Sequence, residues 1–412
     1  MKKFKKVMAA IFALAVVITV AAAITNTAVV NSNIEYAKSF PASETREIAF
    51  ENTSDGKWNI YSDDGVKVIQ LTDVHIGGGW ISAKKDKMAL NAVAAIISEE
   101  KPDFVVVSGD IAYPVPVQAG TFNNKSGAVI FAELMETLGV YWTATYGNHD
   151  TEAYTYFSRE DITDLYETYP HCLMRDGAKD IDGYGNQVFN IVNSDGFITR
   201  SIYTIDSHSY VDGDIFGLFW KYDNIHENQI EWYKNTVEEN RNHNTNKLYS
   251  SSLLTSLVNL IPNPPSSVFL HIPLSEYKDA WVEYSENGYE DTENVRYNYG
   301  AAGEKNKIVY HGIYEDNFFE TMLELGSTDS VFCGHDHLNN FSLNYKGIDL
   351  CYSYSIDYLA YSGISKLGSQ RGCTVINIDE NGKAEYSLEN YYQDKYASFY
   401  EKEEVTMQVL GQ

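Results

Sequence analysis

Cysteine is scarce in this 412-residue chain, with only Cys172, Cys333, Cys351 and Cys373. No two have the Cys-x-x-Cys spacing, which excludes a dithiol redox motif and a thiolate zinc site. Four cysteines allow three disulfide pairings; four buried free thiols are the other reading, since a chain of this size needs no staples. Proline (9) and glycine (28) are too few for a collagen-like or proline-rich chain. Basic residues are outnumbered, 31 against 57 acids, for a net charge of -26. Lys2, Lys3, Lys5 and Lys6 lie in a first segment of 24 residues without acids, so the remainder carries 27 bases against 57 acids, or -30. Such a surface repels phosphate polymers and excludes non-specific nucleic-acid binding. A small phosphorylated substrate is still allowed, because bound metal ions reverse the local field. After residue 24 no apolar run is long enough to span a membrane.

The four lysines precede Val7 to Ile24, which is apolar except for Thr19 and contains Ala21, Ala22 and Ala23 as small residues for a peptidase. Residues 1–24 therefore read as a cleaved export signal. An uncleaved anchor is the alternative, because 18 residues sit near the lower limit for a spanning helix. Either way the rest is expected outside the cytoplasm, secreted or at the cell surface, with membrane contact only if the segment is kept.

Residues 25–65 are polar and turn-rich and read as a linker followed by an edge hairpin. Residues 66–395 read as one domain, and 396–412 as a tail. Val66–Leu71, Phe104–Val107 and Tyr141–Thr145 are short apolar runs, separated by helical spacing over Met88–Ile97 and Ala128–Leu138. Strand and helix in alternation predict parallel βαβ units. Ser158 and Asp161 have the spacing of a capping box for a helix to about Tyr169. Residues 175–196 read as a loop, Ser201–Asp206 as a strand, His226 to Arg241 as an amphipathic helix, and 242–265 as an insertion. Val268–His271, Val331–Cys333, Asn340–Tyr345, Ile348–Tyr352 and Cys373–Ile378 read as strands, Ile313–Leu325 as a helix, and 283–307 as an exposed excursion.

Potential metal ligands gather at the ends of these strands. Asp73 and His75 follow the first, Asp110 the second, and Asn148, His149 and Asp150 the third; His271 ends a later strand, and His335 and His337 follow the next. Loops at the carboxyl ends of parallel strands converge on one crevice. Imidazole, carboxylate and amide without thiolate suit Mn, Fe, Zn or Co. Even seven of these nine groups are too many for one ion and suit two that share a carboxylate. Asp-x-His or Gly-Asp alone is an ordinary turn and a lone His271 an ordinary core histidine; Gly-Asn-His-Asp and Gly-His-x-His are more specific, and all five at strand ends, in one order, are not chance turns.

Asp73-x-His75, Gly109-Asp110, Gly147-Asn148-His149-Asp150, His271 and Gly334-His335-Asp336-His337 resemble, in order, the five blocks of the calcineurin-like metallophosphoesterases. The resemblance spans about residues 66 to 380. His271-Ile272-Pro273-Leu274-Ser275-Glu276-Tyr277 and Gln229-Ile230-Glu231-Trp232-Tyr233 look like the branch near purple acid phosphatases and secreted phosphatases. The resemblance implies an α/β (α+β) fold, a four-layer α/β/β/α sandwich of the metallo-dependent phosphatase type. It implies that Asp73, His75 and His337 hold a first divalent ion, that Asn148, His271 and His335 hold a second, and that Asp110 bridges them. It implies that His149 assists catalysis, with Asp150 orienting it. Purple acid phosphatases carry glycine at the position of His75 and a ferric-binding tyrosine at that of Tyr113. With His75 present, Tyr113 reads as a pocket wall, and a tyrosine-bound ferric centre is the alternative.

The expected activity is hydrolysis of phosphate monoesters on small substrates by hydroxide generated at the metal pair. The alternatives are a phosphodiesterase acting on nucleotide, glycerophospho- or sphingolipid-type substrates, and a surface binding protein that keeps the metals for stability.

Overall fold

The computed structural model describes residues 2–214, 217–251, 261–361, 364, 371–400, 402, 403 and 405. A long helix, α1 (Lys2–Ala37), precedes a hairpin of β1 (Ala49–Asn52) and β2 (Trp58–Tyr61). Then come β3 (Val66–Leu71), α2 (Ala83–Glu100), β4 (Phe104–Ser108), α3 (Pro116–Ala119), α4 (Asn124–Leu138), β5 (Trp142–Thr145) and α5 (Arg159–Tyr166). The middle of the chain holds β6 (Gln187–Val192), β7 (Ile198–Thr204), α6 (Glu227–Ser251), β8 (Ser266–Phe269) and α7 (Ser275–Glu286). It closes with β9 (Val295–Tyr299), α8 (Phe318–Leu325), β10 (Thr328–Cys333), β11 (Ser342–Tyr345), β12 (Ile348–Tyr352), β13 (Gly372–Ile378) and β14 (Ala384–Asn390).

The strands form two sheets. Nine strands run in the order β1-β2-β6-β7-β8-β10-β12-β11-β9, and five in the order β14-β13-β3-β4-β5. β3, β4 and β5 are mutually parallel, as are β7, β8, β10 and β12. Side-chain alternation then makes three apolar layers from these strands. Val66 and Val68 of β3, Phe104 and Val106 of β4, Phe269 of β8 and Phe332 of β10 meet between the sheets. The alternate residues Ile69, Leu71, Val105 and Val107 pack under α2 and α4. Val268 and Val331 pack under α6, α7 and α8. The result is the expected helix, sheet, sheet, helix sandwich. It brings the carboxyl ends of β3, β4, β5, β8 and β10 to one edge.

Local signals account for several boundaries. Ser158 Oγ accepts from the Asp161 amide and the Asp161 carboxylate accepts from the Ser158 amide, which closes the capping box that starts α5. α4 ends at Gly139, whose φ of +69° is left-handed.

Several expectations change: the helix expected over Ile313–Leu325 begins at Phe318, and Tyr396 of the expected 396–412 tail is buried in the core. Residues 25–40 are not a linker: α1 runs to Ala37, Ala37 and Phe40 are buried in the core, and Asn33 Nδ2 donates to Asp86 Oδ2 at 3.1 Å. Part of the 175–196 loop is β6, buried along its whole length and so without alternation. The 283–307 excursion contributes the edge strand β9, paired antiparallel to β11. α6 continues to Ser251, and most of the expected insertion, 252–260, lies outside the described residues. The four cysteines are free and buried. Among the described residues no helix is long and apolar enough to cross a membrane.

Candidate metal centre

The backbone at the site is unusual before any side chain is considered. Asp73, His75, Asp110 and His335 have φ of 51°, 54°, 56° and 73°. Left-handed residues other than glycine cost on the order of 1–3 kcal/mol each and persist where surrounding structure holds them. Here interlocking amides do so: Asp73 N–H donates to Gly109 O at 3.1 Å, and His75 N–H to Asp110 O at 3.0 Å. Two glycines are required for space. A Cβ on Gly109 would lie 2.5 Å from His271 Nδ1, and one on Gly147 would lie 2.1 Å from Asp110 Oδ1.

The side chains converge in two adjoining groups. One ligand atom each of Asp73, His75, Asp110 and His337 lies within 4.8 Å of the others. His337 Nε2 is 3.3 Å from Asp73 Oδ1, and His75 Nε2 is 3.1 Å from Asp110 Oδ2. On the other side of Asp110, His271 Nε2 is 3.3 Å from Asp110 Oδ2 and 3.2 Å from Asn148 Oδ1. His335 completes this group, its ring centroid 5.1 Å from that of His271. Tyr210 Oη accepts from Asn148 Nδ2 at 2.9 Å, which turns Asn148 Oδ1 toward His271. The structure thus brings together all seven residues expected as ligands.

The donor set fits cations. Asp73 Oδ1 is buried and has no hydrogen-bond partner. His271 Nδ1–H donates to Ser108 O at 2.9 Å and His337 Nδ1–H to Asp357 at 3.1 Å. Their Nε2 lone pairs therefore face carboxylate oxygens, a repulsive arrangement unless a proton or a cation lies between. The pKa shifts report the same field. Burial opposes a charged His75, yet Asp357 and Asp110 outweigh it and push the ring up to about 9. Burial likewise opposes charge on His271, and Asp110 pushes it up to about 9. His335, by contrast, is held well below the usual range by burial and by His271. A pocket whose carboxylates raise the proton affinity of His75, His271 and His337 has the negative potential that divalent ions neutralise.

His149 lies beside this centre, its ring edge-on to His75 at 5.6 Å between centroids. Its amide donates to Asp110 Oδ1 at 2.8 Å, so it helps to position the shared carboxylate. Asp150 does not orient His149. Its buried carboxylate accepts from the amides of Asp110, Ala112 and Gly147 at 2.8–2.9 Å and ties the second and third loops together. Glu152 takes the orienting role instead, with Oε1 2.6 Å from His149 Nδ1.

Two residues at the site were not singled out in the sequence. Asp357 lies between His75 and His337, with Oδ1 3.5 Å from one Nδ1 and Oδ2 3.1 Å from the other. Burial would raise its pKa, but the two rings hold the carboxyl well below the usual range. Glu152 is the other. Neither follows a strand end in a recognisable spacing; for Glu152 the signal was an acid three residues after His149. Tyr113 is a wall, stacked on His75 at 4.7 Å, with its hydroxyl donating to Gln118 Oε1 at 2.8 Å.

The model of the family described as calcineurin-like phosphoesterase matches residues 66–339. Over 329 residues the chain is 29% identical to "Probable inactive purple acid phosphatase 14" of Arabidopsis thaliana, covering 74% of this chain and 73% of that one. It is 25% identical over 309 residues to "Phosphatase DCR2" of Saccharomyces cerevisiae, covering 68% and 46%. Among solved structures, a dimetal phosphatase from Danio rerio aligns with a TM-score of 0.44 at 10% identity, over 76% of this chain and 93% of that one.

Proposed function

The chain belongs to the calcineurin-like phosphoesterase family of phosphoric ester hydrolases, and on that footing we propose that it hydrolyses small phosphate monoesters outside the cytoplasm, using two divalent transition ions. Asp73, His75 and His337 would hold one ion, and Asn148, His271 and His335 the other, with Asp110 shared. Such a pair, when bound, polarises the phosphoryl oxygens and lowers the pKa of a water. The observation that carries the reading is the meeting of the Asp73, His75, Asp110 and His337 ligand atoms within 4.8 Å, next to an intact His149–Glu152 pair.

The protein's own groups have separable tasks. Glu152 accepts from His149 Nδ1–H, which leaves Nε2 as the nitrogen available to the substrate. In its protonated form His149 donates from Nε2 to the leaving alkoxide, a contribution of roughly 10²–10⁴-fold. Tyr210 and Tyr222, stacked at 5.4 Å, form one wall. Burial keeps both phenols protonated, so they present hydroxyl donors and not charge to an anionic substrate. Export is supported by the lysine-led apolar segment up to Ile24.

Protein stripped of metal and reloaded with Mn²⁺, Zn²⁺ or Fe²⁺ should cleave nitrophenyl phosphate faster than bis-nitrophenyl phosphate. Asp110→Asn and His149→Ala should both lose that turnover. A faster diester reaction would shift the reading to a phosphodiesterase. Two bound ions without turnover of either ester would favour a metal-stabilised binding protein, a point sharpened by the word "inactive" in the plant relative's name.

A further inference from the structure

Both banks of the metal centre carry exposed apolar groups. On the first bank, Trp80 and Ile81 are 53% and 44% exposed and Val117 is 81% exposed. They connect to the centre through α3: Trp80 lies five residues past His75 and packs on Gly120, at the end of α3, whose Gln118 accepts from the hydroxyl of Tyr113, stacked on His75. On the second bank, the consecutive residues Leu218, Phe219 and Trp220 are 63–69% exposed. They also connect to the centre, because Tyr222, two residues on, packs edge-on to His335 at 4.4 Å. Single exposed apolar side chains are ordinary on a protein surface. Two groups flanking one crevice, each with a tryptophan, mark an interaction face.

A separate observation says what covers this face. α1 leaves the domain on the first bank. Asn26 Nδ2 donates to Gly120 O at 3.1 Å, and Trp80 N–H donates to Asn26 Oδ1 at 3.0 Å. From that point outward the described large apolar side chains between Phe4 and Ile24 are 45–73% exposed. A helix that is apolar from Val7 to Ile24, with lysines only at its outer end, is thus joined at its base to the tryptophan of the rim. Tryptophan at the foot of such a helix sits where the headgroups of a bilayer would lie.

We propose that this rim, Trp80, Ile81 and Val117 on one bank and Leu218–Trp220 on the other, seats the metal-centre face on a lipid bilayer, with the N-terminal helix entering the same surface. The site then opens toward the headgroup layer. The net charge of -26 disfavours an anionic surface. The matching surface is zwitterionic, and binding comes from the apolar side chains. The inference concerns the surface and does not depend on turnover.

Hydroxyl-radical footprinting of the isolated full chain, with and without phosphatidylcholine vesicles, tests it residue by residue. The oxidation rates of Trp80 and of Leu218–Trp220 are expected to fall about five-fold or more with vesicles. Tyr289, 56% exposed beyond the far end of α7, should keep its rate. Protection of Phe4–Ile24 alone would mean that the helix binds and the rim does not, and would overturn the proposal. So would unchanged rates throughout. Rim protection that grows with protein concentration and without vesicles would assign the face to a second copy of the chain, which also overturns it. The readout at Trp80 and Leu218–Trp220 holds whether or not the isolated protein retains its first 24 residues.

Discussion

Glu152 and His149 form a pair of their own beside the metal centre: the buried carboxylate lies 2.6 Å from Nδ1, and the ring remains partly open to solvent. The pair behaves as one unit if Glu152 acts only by holding the ring. His149→Ala should then lower kcat about 10²-fold or more, and Glu152→Ala about 10-fold with KM little changed. The double variant should be no slower than His149→Ala alone, because neighbours in one network are not additive. A fully multiplicative loss, measured in the four-way comparison, would give Glu152 an independent role.

Asp357 tests whether the imidazoles are held from behind. It faces His75 and His337 on their Nδ1 sides and also accepts from the amides of Leu359, Ala360 and Tyr361 at 2.6–2.7 Å. Asp357→Asn keeps an acceptor for the Leu359 and Ala360 amides, loses the one for Tyr361, and removes the charge that sets both rings. The expected result is a 10–100-fold weaker metal affinity, typical of groups that orient ligating histidines. Metal titration followed by calorimetry reads it directly, and an unchanged affinity would reduce Asp357 to a loop-capping residue.

These two residues also mark the limit of what the sequence displays. The ligands were legible because each follows a short apolar run that reads as a buried strand, as in Val66–Leu71 before Asp73 and Phe104–Ser108 before Asp110. Asp357 follows β12 by five residues, in a stretch with no such spacing, and its role depends on a loop that returns beneath His75 and His337. β6 was hidden for a different reason: Gln187 and Asn190 interrupt its apolar run, and it lies in a stretch rich in Gly, Asp and Asn that reads as a loop. β9 sits in an acidic, tyrosine-rich stretch and is a strand only because β11 offers it an edge. The helical segment 25–37 is polar in composition and becomes structured by packing, through Asn33 on Asp86 and Ala37 in the core.

That contact sets a pH dependence. Asp86 is buried and accepts from Gly77 N–H, Gly78 N–H, Ser82 Oγ and Asn33 Nδ2 at 2.9–3.1 Å. Burial outweighs these donors and raises its pKa from 3.8 to about 6. The folded form therefore holds a proton that the unfolded chain has released between pH 4 and 6. On this account stability rises as pH falls through that window, and the penalty is fully present above about pH 6. A shift of this size corresponds to about 3 kcal/mol. Asp86→Asn should be less stable throughout, since its amide cannot accept from every donor, but it should lack this slope. The difference between the two Tm-against-pH curves isolates the residue; parallel curves would refute the assignment.

Gly147 separates the need for space from the need for an unusual backbone. It is not among the glycines with positive φ, so any residue could adopt its conformation. What excludes a side chain is the shared carboxylate, 2.1 Å from the position a Cβ would take. Gly139 is the converse case, with a φ of +69° and nothing within 4 Å of its Cβ position. Gly139→Ala should cost about 1–2 kcal/mol of stability through the left-handed conformation alone and leave metal binding unchanged. Gly147→Ala must push Asp110 away from its place between the two ligand groups. Its effect should appear as about 10-fold or greater loss of metal affinity, measured by titration of the metal-stripped protein. Equal metal binding in the two variants would show that Asp110 can shift without loss, and would remove it from the role of shared ligand.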